Sequence, residues 1–283
     1  MRTLFASLLL LCLITAFACR ESSGPGHPNP RTALTSVDHF GVQFSGDYSL
    51  ARMLPYQMMI IDPDQSRRHE ADSLSARGII PVAYINIGEA ESYRWYYKDI
   101  RPEWMLGANP NWPDHFYVDA SKSGWHSLLI DQVLPVIFGK SFKGIFLDMV
   151  DVASPDLYPM LRPGVVELIH AMREEFPDKI ILMNNGTFLA PEVADAIDGI
   201  VVESVFATYN FKDKTYIPVR KDASETRCAE LAALHTSYGL RIFAIDYAPE
   251  GDSLTRAYAR NQSRSHGFSS FVSTIELNTL PAR

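Results

Sequence analysis

Hydrophobic and polar positions along the chain sort into short, dense apolar runs separated by longer stretches of helical spacing. The runs are Phe40 to Ser45, Met58 to Asp62, Ile80 to Ile87, Gly144 to Asp148, Lys179 to Asn184, Gly199 to Val205, Arg241 to Tyr247 and Gly267 to Thr274. Most are rich in Val, Ile, Phe and Met without polar alternation, as in parallel strands covered on both faces. Between them, Ser66 to Arg77 carries apolar residues at helical spacing and stops at Gly78. Gly124 to Phe138 follows Ser121 and Ser123, two good N-cap types. Arg162 to Glu175 has Pro163 in its first turn and ends before Pro177, and Glu225 to Tyr238 ends at Gly239. Eight strands alternating with helices predict an α/β fold, a (β/α)8 TIM barrel, as a single domain over residues 32–283. The competing fold, a doubly wound open sheet, would want a Gly-rich phosphate turn after its first strand, and none is present.

Ahead of the first strand the pattern changes. Arg2 precedes an almost unbroken apolar run from Leu4 to Phe17, closed by Ala16-Phe17-Ala18-Cys19. This layout is that of a secretory signal peptide over residues 1–18, too short for a transmembrane helix. Two processing routes are open. Cleavage at the small-x-small site Ala16 to Ala18 would release a soluble protein; lipidation of Cys19 would tether a bacterial lipoprotein to the membrane. Residues 19–31, rich in Ser, Gly and Pro, read as a flexible tether. Of the three cysteines, Cys12 lies in the leader and Cys19 at its end. Only Cys228 remains for the folded body, read as a small buried hydrophobe, so no intramolecular disulfide is available. The formal net charge of −7 excludes nucleic acid as a partner and suits a cationic ligand.

Strand after strand ends in an acid: Asp62, then Glu89 and Glu91 just beyond Ile87, Asp148, Glu203 and Asp246. In a barrel the carboxyl ends of all strands open onto one mouth. Gathering carboxylates there costs repulsion and desolvation, so the recurrence points to chemistry rather than helix capping. A carboxylate pair, one protonated and one ionised, is the machinery of glycoside hydrolysis. The rivals are weaker. There is no HExxH or comparable zinc spacing, no EF-hand run, no GxSxG and no phosphate loop. No metal or other cofactor is expected.

The segment Val82-Ala83-Tyr84-Ile85-Asn86-Ile87-Gly88-Glu89-Ala90-Glu91, with Tyr93-Arg94 after it, resembles glycoside hydrolase family 114. Further matches follow in order: Gly144-Ile145-Phe146-Leu147-Asp148 with Asp151, Asn184-Asn185-Gly186, Gly199-Ile200-Val201-Val202-Glu203-Ser204 and Ile245-Asp246-Tyr247-Ala248. The resemblance spans nearly all of the mature chain. It implies an exported, retaining endo-hydrolase of α-1,4-linked galactosamine polymers, with Asp148 as nucleophile and Glu203 as general acid/base. A partly deacetylated polymer of that kind is cationic, which matches the acidic mouth.

Around that pair, the expected substrate-binding residues are Asp62, Tyr84, Glu89, Arg94, Asp151, Asn184, Asp246 and Tyr247, joined by Trp95 and Trp112 as exposed aromatic platforms. Of Glu89 and Glu91, only Glu89 is expected to face the site. Arg94 is expected to pair with one of these acids. Phe211 to Ser224 is read as a polar loop rimming the cleft. The chain is expected to act as a monomer. Two further functions compete: a non-catalytic polysaccharide-binding surface lipoprotein, and a hydrolase of another α-linked glycan.

Overall fold

The computed structural model describes residues 29–281 apart from positions 47 and 67; the leader and Cys19 lie outside them. Eight strands form one parallel sheet in sequence order: β1 (Phe40–Gln43), β2 (Met58–Ile61), β3 (Ile80–Asn86), β4 (Gly144–Asp148), β5 (Ile180–Asn184), β6 (Gly199–Glu203), β7 (Arg241–Tyr247) and β8 (Ser269–Ser273). Their apolar runs are buried on both faces, as a barrel wall between a packed interior and a ring of helices demands. The sheet is a nearly closed (β/α)8 barrel. At the seam, the Phe40 ring lies 5.2 Å from Phe243 and 5.9 Å from Phe271. The Phe44 N–H donates to the Leu277 carbonyl at 2.8 Å, tying the loop after β8 to the end of β1.

The helices sit where spacing puts them, though the segment after Ser121 starts at Ser123 with Lys122, not a serine, as its N-cap. Arg162–Glu175 matches its predicted bounds, with Pro163 in the first turn, where its missing N–H costs nothing. Lys221–Tyr238 ends at Gly239 with φ +68°, a left-handed C-cap that suits glycine. Its start lies four residues earlier than the apolar spacing predicts. The chain also enters the fold early. A short helix, Pro30–Leu34, includes Pro30 and Arg31, the last residues of the tether segment. The Arg31 guanidinium donates to the carbonyls of Tyr238, Ala194 and Ile197 at 3.0, 2.5 and 2.6 Å, which fastens it to the body.

Two insertions rise from the carboxyl end of the barrel. After β3, the strands Glu89–Glu91, Met105–Ala108 and His115–Val118 make a small antiparallel sheet, the last pairing with both others. After β6, Ala207–Asn210 and Thr215–Pro218 form an antiparallel hairpin, whose second strand falls in the Phe211 to Ser224 segment read as a loop. Its turn is closed by Asn210, whose Oδ1 accepts from the Lys212 and Asp213 N–H groups at 3.0 and 3.2 Å. The charges of Lys212, Asp213 and Lys214 occupy this turn and hide the flanking Thr-Tyr alternation. Among the described residues no helix is long and apolar enough to cross a membrane.

Candidate active site

Three adjacent strands deliver their last residues to one point. Asp148 ends β4, Asn184 ends β5 and Glu203 ends β6. Each is followed by a left-handed residue: Met149 at φ +57°, Asn185 at +49° and Ser204 at +61°. Asn tolerates that conformation; Met rarely adopts it. The sharp turns stop each strand at the mouth, and the Asn185 side chain braces its neighbour by accepting the Glu203 N–H at 3.1 Å. Close packing completes the support. A Cβ on Gly88 would lie 2.1 Å from the Met149 carbonyl oxygen, so only glycine lets the β3 turn approach the end of β4.

One amide links the two acids. The Asn184 Nδ2 donates to Asp148 Oδ1 at 2.9 Å and to Glu203 Oε1 at 2.8 Å. The two hydrogens of a planar NH2 point roughly 120° apart, which sets the accepting oxygens about 5 Å from each other. Each acid has a tyrosine on its other oxygen: Tyr84 donates to Asp148 Oδ2 at 2.9 Å, and Tyr247 to Glu203 Oε2 at 2.7 Å. Burial first, and then the nearby acids, hold both phenols well above their ordinary pKa, so they remain donors.

Electrostatics separate the pair. Burial, and then the Asp148 charge, push Glu203 up to about 6. Asp148 is also raised by burial, but bonds from Asn184, Tyr84 and the Met149 N–H oppose the rise. Asp151 is pushed up to about 6 by burial, against a bond from the Gly186 N–H at 3.0 Å. Among the described residues no cation forms an ion pair with Asp148, Asp151 or Glu203.

The remaining acids around this cavity of about 320 Å3 are differently placed. Arg94, 5 % exposed, grips Glu91 with Nε at 2.6 Å and Nη2 at 3.2 Å, while Nη1 reaches Asp62 at 2.9 Å and Asp64 at 3.2 Å. Tyr93 donates to Glu91 Oε1 at 2.5 Å. Glu89 accepts from Asn109 at 2.6 Å and Asn86 at 3.2 Å, and lies 3.0 Å from His115 Nδ1. Burial alone would lower the His115 pKa; the Glu89 bond and the nearby carboxylates outweigh it and raise the ring's pKa. Among the described residues no group of His, Cys, Asp or Glu is placed to hold a metal ion.

Over residues 22–282 the sequence matches the glycoside-hydrolase family GH114. The chain belongs to family GH114. A protein of Deinococcus radiodurans is 27 % identical, the match covering 99 % of this chain and 98 % of that one. A Thermotoga maritima protein is 30 % identical over 192 residues, and the chain spans 57 % of its length. Both are uncharacterized. Among solved structures, the glycoside hydrolase domain of PelA from Pseudomonas aeruginosa superposes with a TM-score of 0.76 at 20 % identity, covering 87 % of this chain and 98 % of that domain. Aspergillus fumigatus Ega3, in complex with galactosamine, gives 0.70 at 16 % identity, with 92 % and 97 % covered. This GH114 protein is a glycoside hydrolase with the TIM-barrel fold.

The GH114 cavity gathers most of the residues expected from sequence: Asp62, Tyr84, Glu89, Arg94, Trp112, Asp148, Asp151, Asn184, Glu203 and Tyr247 all line it. Three expectations are corrected. Asp246 lies outside the lining, fully buried. Its Oδ1 accepts from the Phe206 and Ala207 N–H groups at 2.6 and 2.9 Å and so holds the turn that launches the hairpin. Trp95, 44 % exposed, stands beside Pro63 and Tyr96 away from the cavity, edge-on to Tyr96 at 5.3 Å. Glu91 faces the cavity as well as Glu89, and both are 1 % exposed. The segment is a strand, and its period of two puts residues 89 and 91 on one face.

Sequence reasoning passed over His115, Tyr209 and Glu276, which also line the cavity. Of these, His115 had a legible signal, since it sits in a period-two run, His-Phe-Tyr-Val, close to the aromatic segment. Phe211 fell within the predicted rim and meets Trp112 edge to face at 5.6 Å, so the two insertions touch above the site.

Proposed function

We propose that the protein is a retaining endo-glycosidase of α-1,4-linked, galactosamine-containing polysaccharide, exported through the leader at residues 1–18 and tethered as a monomer through a lipid on Cys19. The observation that carries the mechanism is the shared Asn184 amide. It favours a carboxylate separation near the 5–5.5 Å of retaining enzymes rather than the wider gap that leaves room for a water. In the first step the Asp148 carboxylate attacks the anomeric carbon. Glu203, which burial and its neighbour raise to about 6 and so keep protonated at pH below that value, gives its proton to the departing glycosidic oxygen. The glycosyl group is then esterified to Asp148 with inverted configuration. In the second step ionised Glu203 takes a proton from water, the water oxygen attacks the same carbon, and Asp148 leaves as carboxylate. Two inversions give net retention. Asn184 and Tyr84 hold the Asp148 charge in place, and Tyr247 orients Glu203.

The substrate class rests on charge and on the galactosamine held by Ega3. The cavity is lined by seven carboxylates, Asp62, Glu89, Glu91, Asp148, Asp151, Glu203 and Glu276, against one arginine, Arg94. Such a lining draws in a cationic amino sugar and repels an anionic polymer. Release of reducing ends tests the reading, using protein lacking residues 1–28, partly deacetylated poly-α-1,4-galactosamine, and a neutral α-glucan as control. Cleavage of the amino-sugar polymer alone is expected. Asp148→Asn and Glu203→Gln are each expected to lower turnover by at least about 100-fold without a loss of thermal stability. Full activity in Asp148→Asn would remove the nucleophile assignment.

A further inference from the structure

Glu276 has a place in the cavity and no task in the chemistry above. It follows β8, is exposed, and lines the same cavity as the catalytic pair. Its surroundings differ from those of the other carboxylates. Asp62 and Glu91 share the Arg94 guanidinium, Glu89 meets His115, and Asp151 is bound to the Gly186 N–H. Among the described residues the Glu276 side chain has neither a hydrogen bond nor an ion pair.

The backbone nevertheless fixes it. On one side, the Ile275 N–H donates to the Tyr216 hydroxyl at 3.2 Å, and Tyr216 packs on Tyr209 with ring centroids 5.0 Å apart. On the other, the Leu277 carbonyl accepts from Phe44 at 2.8 Å, with Leu277 itself turned into the left-handed region at φ +45°. A short loop pinned at both neighbours presents one uncompensated carboxylate to the cavity that the aromatic rings of Phe44 and Tyr209 also line. An aromatic face beside a free anion fits an amino sugar, whose ring has an apolar face and whose 2-ammonium needs a counter-charge.

We propose that Glu276 is a specificity-determining residue that receives the ammonium group of a deacetylated galactosamine unit next to the one being cleaved. The inference rests on the substrate class proposed above. An exposed ion pair changes affinity by only a few-fold, so the effect falls on KM and on salt dependence rather than on turnover.

The test compares wild type, Glu276→Gln and Glu276→Lys on partly deacetylated and on fully N-acetylated poly-α-1,4-galactosamine at low and high salt. Glu276→Gln is expected to raise KM on the deacetylated polymer about threefold, clearly more than on the acetylated one, and to flatten the salt dependence. Glu276→Lys is expected to raise it about tenfold. Equal changes on the two polymers, or none, in an enzyme that cleaves the deacetylated one would overturn the role of Glu276 alone. A wild type that cleaves neither polymer would remove the substrate class and the inference with it.

Discussion

Tyr247→Phe isolates the group that sets the acid. The substitution keeps a buried ring of nearly the same shape and removes only the hydroxyl that donates to Glu203 Oε2 at 2.7 Å. That bond favours the ionised carboxylate, so its loss must raise the Glu203 pKa. A hydrogen bond to a charged group contributes about 1.5–3 kcal/mol, and 1.36 kcal/mol corresponds to one pKa unit. The retained Asn184 bond and relaxation of the site argue for the low end, a shift of about one unit from a starting value of about 6. The first step needs Glu203 protonated, so kcat/KM in the wild type falls as pH rises through about 6. In Tyr247→Phe this descending limb moves to higher pH by about one unit, while the ascending limb, set by Asp148, stays in place. The assay is kcat/KM for reducing-end release from pH 3.5 to 9. A descending limb that stays put or moves toward acid would refute the assignment of Glu203 as the acid.

Two stability predictions follow from the buried charges. Asp246 is raised to about 6 by burial, against the bonds from the Phe206 and Ala207 N–H groups. A carboxyl with a raised folded pKa binds a proton in the native state that the unfolded chain has released. Its contribution is therefore present below about pH 4 and lost as pH rises through about 6, amounting to about 3 kcal/mol. Asp246→Asn should flatten that part of the stability curve in urea titrations at pH 4, 5, 6 and 7; an unchanged slope would show that Asp246 titrates normally. Arg94→Met leaves the Asp62 and Glu91 carboxylates buried without a cation, and about 3–5 kcal/mol of stability should be lost by urea unfolding at pH 7. A cost under about 1 kcal/mol would mean that water replaces the guanidinium.

The barrel was readable because its strands carry their own signal. Runs such as Gly144 to Asp148 and Arg241 to Tyr247 are apolar on both faces, and each is bounded by turn or cap residues. The acids were readable because they end those runs. What sequence hid was direction and company. Asp148 and Asp246 both finish apolar runs, yet one accepts side-chain donors in the cavity while the other accepts backbone N–H groups behind it. No local pattern separates the two cases, since the difference lies in which neighbour supplies the donor. The two insertions were missed for another reason. Strands of three or four residues, such as Glu89–Glu91 and Thr215–Pro218, are too short for periodicity to outweigh their polar composition. Asn184 was expected among the substrate-binding residues, but that one amide bridges both acids emerges only when three strands are laid side by side.

The central claim is that Asp148 and Glu203 act as nucleophile and acid/base across a gap too narrow for water. The anomeric configuration of the first-formed product tests it most directly. Proton NMR would follow digestion of the α-1,4-linked galactosamine polymer before mutarotation intervenes. Retention predicts that the new reducing ends appear first as the α-anomer, with the β-anomer growing in later. First appearance of the β-anomer would mean a single inversion, with water between the acids, and would contradict the account.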